Sequence, residues 1–274
     1  MDILETKRLL LDRVYEALER EIARKLNAAC QKGCAWCCTQ DVTITTAEAL
    51  PILDFLRAGG REDLMRRLDR ADPARFRPSY TLNDFAQACF ERRDLPEEGP
   101  RNEPAACLLL EDDQCAVYPV RPLACRAFVS TTACGPGHPA EAPPGLTALA
   151  AVCQQIAEHL DAGGLYGNLT DVLRVLGEDA GARAYRLGKP LLDARGLLPA
   201  RALPGFLIHP EAAETVRPFL DRLFGGDIGG APFHHFLAEL GKRGQELTIN
   251  VSHPPRKSIL IHSHFPKQTT EKGS

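Results

Sequence analysis

The sequence predicts a mainly α-helical fold with one small β-hairpin, in which irregular cysteine-rich loops are held together by metal. Three observations carry this: apolar residues recur at helical spacing over several separate stretches, two apolar runs flank a polar turn within 107–118, and ten cysteines crowd into the part of the chain that ends at Cys153.

The first stretch is residues 9–26. Leu11, Val14, Tyr15, Leu18, Ile22 and Leu26 fall three or four apart with charged residues between them, the pattern of one amphipathic helix. Val42–Thr45 suits a short extended piece. Thr45 and Glu48 then have the Thr-x-x-Glu spacing of a capping box, opening a helix that Gly59 and Gly60 would stop. Pro51 lies inside that helix and is expected to kink it or delay its start. Residues 57–77 hold seven arginines against four acids, and the mixture of signs without interleaved aromatics reads as a solvated helix face. Another short helix is expected over 84–93, then a loop from Leu95 to Pro104.

In 107–118, CLLLEDDQCAVY, the polar stretch Glu111–Gln114 marks the hairpin. An even loop would pair Leu110 with Cys115 and Cys107 with Tyr118, placing Cys107 and Cys115 on opposite faces of the ribbon unless a bulge intervenes. Residues 134–145 are rich in Gly and Pro and are expected to be irregular. Helical patterns resume at 146–161, about 170–177, 211–224 and 233–242, with a short strand near 247–251. The expected organisation is a cysteine-cluster metal-binding domain over 1–162, a helical C-terminal region over 163–252, and a flexible tail over 253–274.

Composition limits the function. With 274 residues, 44% hydrophobic, 25% charged and a formal net charge of −3, the chain is globular, and it lacks the basic excess of a nucleic-acid binder. No apolar run approaches the ~20 residues of a membrane helix. The opening MDILETKRLLLDRVYEALER carries acids within its apolar segment and does not read as an export signal, so the expected location is the cytoplasm. In a chain of this size and compartment, clustered cysteines are expected to ligate metal rather than form a disulfide framework.

The first cysteine group is Cys30, Cys34, Cys37 and Cys38, a C-x3-C-x2-C-C run with Gly33 to permit a tight loop. A Cys-x2-Cys spacing lets two sulfurs face one point, as zinc and iron–sulfur sites require. Adjacent side chains diverge along most backbones, so Cys38 beside Cys37 suggests two neighbouring metal sites or one larger cluster. The second group is Cys107, Cys115 and Cys125, with Cys134 nine residues further on. In Tyr118-Pro-Val-Arg121-Pro122-Leu-Ala-Cys125-Arg126, two arginines flank a thiol, where they would offset thiolate charge and lower thiol pKa values; Tyr118 would pack over the site or donate to it.

Together, the C-x3-C-x2-C-C group, the later Cys-x7-Cys and the Tyr-x2-Arg-Pro-x2-Cys-Arg string resemble the YkgJ-type cysteine-cluster family over roughly residues 25–135. The resemblance implies a zinc- or iron-chelating domain. It carries over as metal ligands Cys30, Cys34, Cys37, Cys38, Cys107, Cys115 and Cys125, with Cys134 in the place of the family's last cysteine. It also implies relatives that methylate flagellin lysines.

Cys30, Cys34 and Cys37 match the C-x3-C-x2-C of radical S-adenosylmethionine enzymes too, including an aromatic residue, Trp36, before the last thiol. That motif normally follows the first strand of a partial α/β barrel, whereas here a helix precedes it. The favoured cofactor is an iron–sulfur cluster, since the ligand set is all thiolate; zinc stapling a loop-rich domain is the alternative, and a cluster-dependent lysine methyltransferase using S-adenosylmethionine is a third reading. Expected partners are metal ions and a protein docked on the C-terminal region, with no nucleic acid and no membrane. Cys89 and Cys153 sit among apolar residues and read as core. His234, His235, His253, His262 and His264 read as surface or core residues, and Asp112 and Asp113 as a solvated hairpin tip.

Overall fold

A computed structural model describes residues 3–31, 33–99, 103–135, 137–188 and 196–240. The strand expected near 247–251, the tail over 253–274 and His253, His262 and His264 lie outside the described residues. The fold is mainly α-helical, 54% helix with a few small antiparallel strand pairs and, among the described residues, no barrel.

The first helix, α1 (Ile3–Lys25), buries Leu10, Val14 and Leu18 completely. Each such side chain contributes about 1.5–3 kcal/mol of burial. After the first cysteine loop come β1 (Thr43–Thr45) and α2 (Thr46–Ala58). The capping box is present: the Thr45 hydroxyl accepts from the Glu48 amide, and the Glu48 carboxylate accepts from the Thr45 amide at 3.0 Å. This cap holds the start of α2 in place, so Pro51 does not delay it. The helix runs through Pro51, forgoing one backbone hydrogen bond while burying Ala49, Ile52, Leu53 and Leu56. Gly59 caps its end.

The short α3 (Glu62–Arg67) and α4 (Leu82–Glu91) follow. Within the arginine-rich stretch the solvated-face reading needs correcting at Arg75, which is only 7% exposed and pairs with Asp171, while Arg77 Nε donates to the other Asp171 oxygen at 2.8 Å. Arg61 and Arg67 remain partly exposed and pair with Glu111 at 2.6 and 3.1 Å, which fastens the hairpin to α3.

That hairpin is β2 (Leu110–Glu111) and β3 (Gln114–Cys115), with Leu110 opposite Cys115 as the even loop requires. Asp112 and Asp113 both adopt positive φ, 46° and 59°, the conformation of a two-residue primed turn. The ribbon stops two residues from the turn, so Cys107 does not pair with Tyr118. Pro119 and its neighbours form a single 3₁₀ turn over Tyr118–Val120, and the Cys107 amide instead donates to the Cys38 carbonyl at 2.9 Å. Next come α5 (Leu123–Ala127), α6 (Pro144–Leu160), β4 (Leu165–Asn168), α7 (Leu169–Gly177) and α8 (Asp179–Arg186). The chain ends its described part with β5 (Leu198–Pro199), α9 (Ala213–Gly225), a two-stranded ribbon of β6 (Asp227–Ile228) and β7 (Ala231–Pro232), and α10 (Phe233–Leu240). A three-stranded sheet has the order β1-β4-β5, all antiparallel.

Two hydrophobic cores result. The first joins α1, α6, α9 and α10 around residues such as Leu10, Leu149, Phe206 and Phe233. Cys153 belongs to it and is fully buried, as its apolar setting in the sequence suggested. The second joins α2, α3, α7 and the hairpin, and Cys107, Cys115 and Cys125 pack against it. Buried polar groups tie the elements together. Asp161, without exposed surface, accepts from Lys7 Nζ at 2.9 Å, the Ala47 amide at 2.9 Å, the Tyr185 hydroxyl at 2.6 Å and the Thr46 hydroxyl.

Glu158, also without exposed surface, accepts from the Asn83 and Arg201 amides at 2.9 and 2.8 Å. Burial raises its pKa to about 7 despite those donors. An unfolded glutamate loses its proton near pH ~4.3. Between the two values the unfolded chain is ionised at this site and the folded one is not, so stability is expected to fall as pH rises through that window and to level off above 7. Denaturant titrations at several pH values, on the parent chain and on Glu158→Gln, check this. Loss of the slope in the variant is expected, and an unchanged slope would assign it to other groups.

Candidate metal centre

The first cysteine loop is built from tight turns. The Cys34 amide donates to Gln31 at 3.0 Å, the Cys38 amide to Ala35 at 2.9 Å, and the Thr39 amide to the Cys37 carbonyl at 3.1 Å. Gly33, with φ of 92°, supplies a backbone conformation that a side chain would strain. The three-residue turn around Cys38 folds the two adjacent thiols back towards each other, and Cys37 and Cys38 share a hydrogen bond. The divergence expected for neighbouring side chains is thereby overcome. Beyond the turn, the chain runs antiparallel to residues 105–107, with Thr39 bridging Ala106 and the Gln40 amide donating to Ala105 at 2.8 Å.

This seam sets Cys38 beside Cys107. The hairpin adds Cys115, and α5 adds Cys125 from the other side. All six pairings among these four thiols are close enough that a thiolate on one would raise the pKa of another. Burial works in the same direction. It pushes Cys107 up to about 12, raises Cys115 and raises Cys125 well above the ordinary thiol range. Cys38 runs the other way, down to about 7, through the hydrogen bond from Cys37 and then the charge of Arg121. Cys37 rises correspondingly.

The other predicted cysteines lie on the outer side of the loop. The Ser130 amide donates to Cys30 Sγ at 3.1 Å, and the Ala29 amide to the Ser130 carbonyl at 2.8 Å. The Ser130 hydroxyl accepts from the Thr132 and Glu141 amides, which pins the loop bearing Cys134. Cys30 feels Cys34 and Cys134, and Cys37 feels both Cys30 and Cys125. Cys89 has only desolvation acting on it and stands apart from the eight. No disulfide joins any of the ten.

The two flanking arginines share Glu19 of α1, Arg121 donating to it at 3.2 Å, and otherwise differ in placement. Arg121 lies 3.9 Å over the Tyr118 ring and lowers the pKa of Cys38 and Cys115. Arg126 turns to α1, donating to Glu19 at 2.6 Å and stacking 4.5 Å over Tyr15, with further bonds to the Arg121 and Pro119 carbonyls. Tyr118 is 44% exposed and serves as the platform under Arg121. Sequence reasoning missed the role of Glu48. Besides capping α2, its carboxylate accepts from the Leu123 amide at 2.9 Å and the Tyr15 hydroxyl at 3.3 Å, fixing the start of α5 and hence Cys125. The capping box named the residue but not its second task.

Residues 29–154 match the family model CxxCxxCC, described as "Putative zinc- or iron-chelating domain". That segment, somewhat under half of the chain, is similar to this domain. No curated protein and no solved structure matches the chain. The match supports a metal-binding cysteine cluster, and the donors present fit that role. The gathered groups are thiols, soft donors that suit zinc and iron–sulfur clusters. Four partly buried thiols cannot all ionise beside one another without a cation, so metal binding would release their protons and hold the thiolates together. Among the described residues no three His, Cys, Asp or Glu side chains already stand in ion-holding geometry, so binding must draw the thiols inward. Among the described residues there is no barrel of the kind that carries the C-x3-C-x2-C motif in radical S-adenosylmethionine enzymes. Among the described residues no helix is long and apolar enough to cross a membrane.

Proposed function

We propose that this is a cytoplasmic iron–sulfur protein whose cluster is held by Cys38, Cys107, Cys115 and Cys125. The observation that supports it most is the mutual proximity of these four thiols at the seam of the first loop, the hairpin and α5. Thiolate-only donor sets of this kind hold iron–sulfur clusters, and a site packed against a hydrophobic core shields a cluster from water. Arg121 offsets part of the thiolate charge, while Glu48 and the Arg126–Glu19 pair keep the Cys125 segment in place.

Zinc is the rival, because a closed four-cysteine zinc site would use the same donors as a staple without chemistry. Protein purified without oxygen, analysed for iron, zinc and acid-labile sulfide with an absorption spectrum, separates the two. Iron with matching sulfide and visible absorption is the expected result; zinc alone in a colourless protein would overturn it. A change of that spectrum on adding S-adenosylmethionine would extend the reading to methyl transfer, the activity the sequence resemblance raised.

A further inference from the structure

We infer that the outward face of α8 is a contact between two copies of this chain, paired antiparallel about a two-fold axis. The surface lies apart from the cysteine site, and the inference stands whichever metal that site holds.

The helix has two faces of different use. Its inner face buries Ala182 and Tyr185, and Gly181 completes it: a side chain there would collide with the Val175 carbonyl of α7. The opposite face carries Ala180, Arg183, Ala184 and Leu187 at i, i+3, i+4 and i+7, a single stripe of the helix. The Leu187 amide donates to the Arg183 carbonyl at 3.1 Å, so Leu187 continues the last turn. With Asp179 these residues line a shallow, mainly apolar hollow. Leu187 is 60% exposed, more than any other large apolar side chain among the described residues.

Charge selects the occupant of that face. Glu178 and Asp179 stand at the start of α8 and Arg183 and Arg186 towards its end, all four exposed. Two such helices side by side and parallel would set acid on acid and arginine on arginine. Antiparallel, the acidic end of each meets the basic end of the other, so the face is complementary to itself in that orientation alone. Asp179 is open to such a partner, since its ion pair with Arg57 is long, at 3.9 Å. Arg186 is held at 2.7 Å by Asp54 but keeps exposed surface. The two alanines let the backbones approach, and Leu187 fills the space that the partner's alanines leave. From Asp179 to Leu187 the stripe is about 13 Å long, so the contact is small and the dimer weak and reversible.

The test is sedimentation equilibrium on the full chain, kept free of oxygen so that no disulfide links two copies. Between ~10 µM and ~1 mM a monomer–dimer equilibrium is expected, and Leu187→Ser should weaken it at least about tenfold. Asp179→Lys and Arg186→Asp should each weaken it as well, because each sets like charges together twice in the pair. An equimolar mixture of these two variants should dimerise again, since every contact between positions 179 and 186 then joins opposite charges. A purely structural role for either residue gives no such recovery. If Arg186→Asp does not fold, Leu187→Ser and Asp179→Lys, both at exposed positions, decide alone. A parent that stays monomeric, a dimer indifferent to all three substitutions, or a mixture of folded variants that remains monomeric would overturn the inference.

Discussion

Cys125→Ala is expected to strip the proposed four-cysteine site of its metal and to lower the unfolding midpoint sharply, whereas Cys89→Ala should keep the parent's metal content. The proposed donors come from a loop, a hairpin and a five-residue helix separated by up to 87 positions along the chain, from Cys38 to Cys125. Such pieces meet only in the folded chain, so metal affinity and folding free energy are the same quantity. For structural zinc in small domains that amounts to ~10–16 kcal/mol, comparable with the whole stability of a domain. Here the hydrophobic cores share the task, and the loss will be smaller. Metal analysis and thermal unfolding on the same samples check it. Cys37→Ala should also lose metal, and equal losses in Cys37→Ala and Cys89→Ala would undo the separation of ligands from other cysteines.

The second large effect is expected for Glu48→Ala. One carboxylate accepts from the Thr45 amide, the Leu123 amide, the Thr45 hydroxyl and the Tyr15 hydroxyl, all around a fully buried position. Truncation leaves two buried amides without acceptors at about 1–3 kcal/mol each, so a loss of roughly 3–5 kcal/mol is expected. It also frees the first turn of α5, and metal affinity should drop with stability. Burial raises the pKa of Glu48, with the two amides acting against that rise. Glu48→Gln keeps the volume and one oxygen acceptor and should recover much of both properties. A Glu48→Ala chain within about 1 kcal/mol of the parent in denaturant titration would show that the hub is dispensable.

Much of this architecture is legible in the residues. The spacing in 9–26 marks α1, Thr45 and Glu48 mark the start of α2, and Glu111–Gln114 marks the hairpin with its correct Leu110–Cys115 register. What escapes is what depends on distant partners. Nothing near Arg75 announces Asp171, 96 positions later, and nothing in the Arg121 to Arg126 string announces that Arg126 will seek Glu19. The pairing of β1 with β4 spans more than 120 positions and is equally hidden. The Cys107–Tyr118 pairing failed for a local reason: a proline beside Tyr118 ends the ribbon before it reaches that far. At the site, the positions of the thiols could be listed from the sequence, but the meeting of the first loop with the second cysteine group needed the seam that joins Cys38 to Cys107.

The two cores also finish at different times during synthesis. Every buried residue of the second core lies between Val42 and Tyr185, and all eight clustered cysteines precede it or fall within it, whereas the first core, where α1 already meets α6, is completed only by α9 and α10, as far as Leu237. At ~5–20 residues per second, the stretch from Tyr185 to Leu237 takes roughly 3–10 s to make. During that interval a ribosome carries a chain whose metal-bearing half can already close, while the first core still lacks its last two helices. Metal supplied at that stage would be captured before the protein is finished, and a cell short of it would expose both an open cluster and an unfinished core at once.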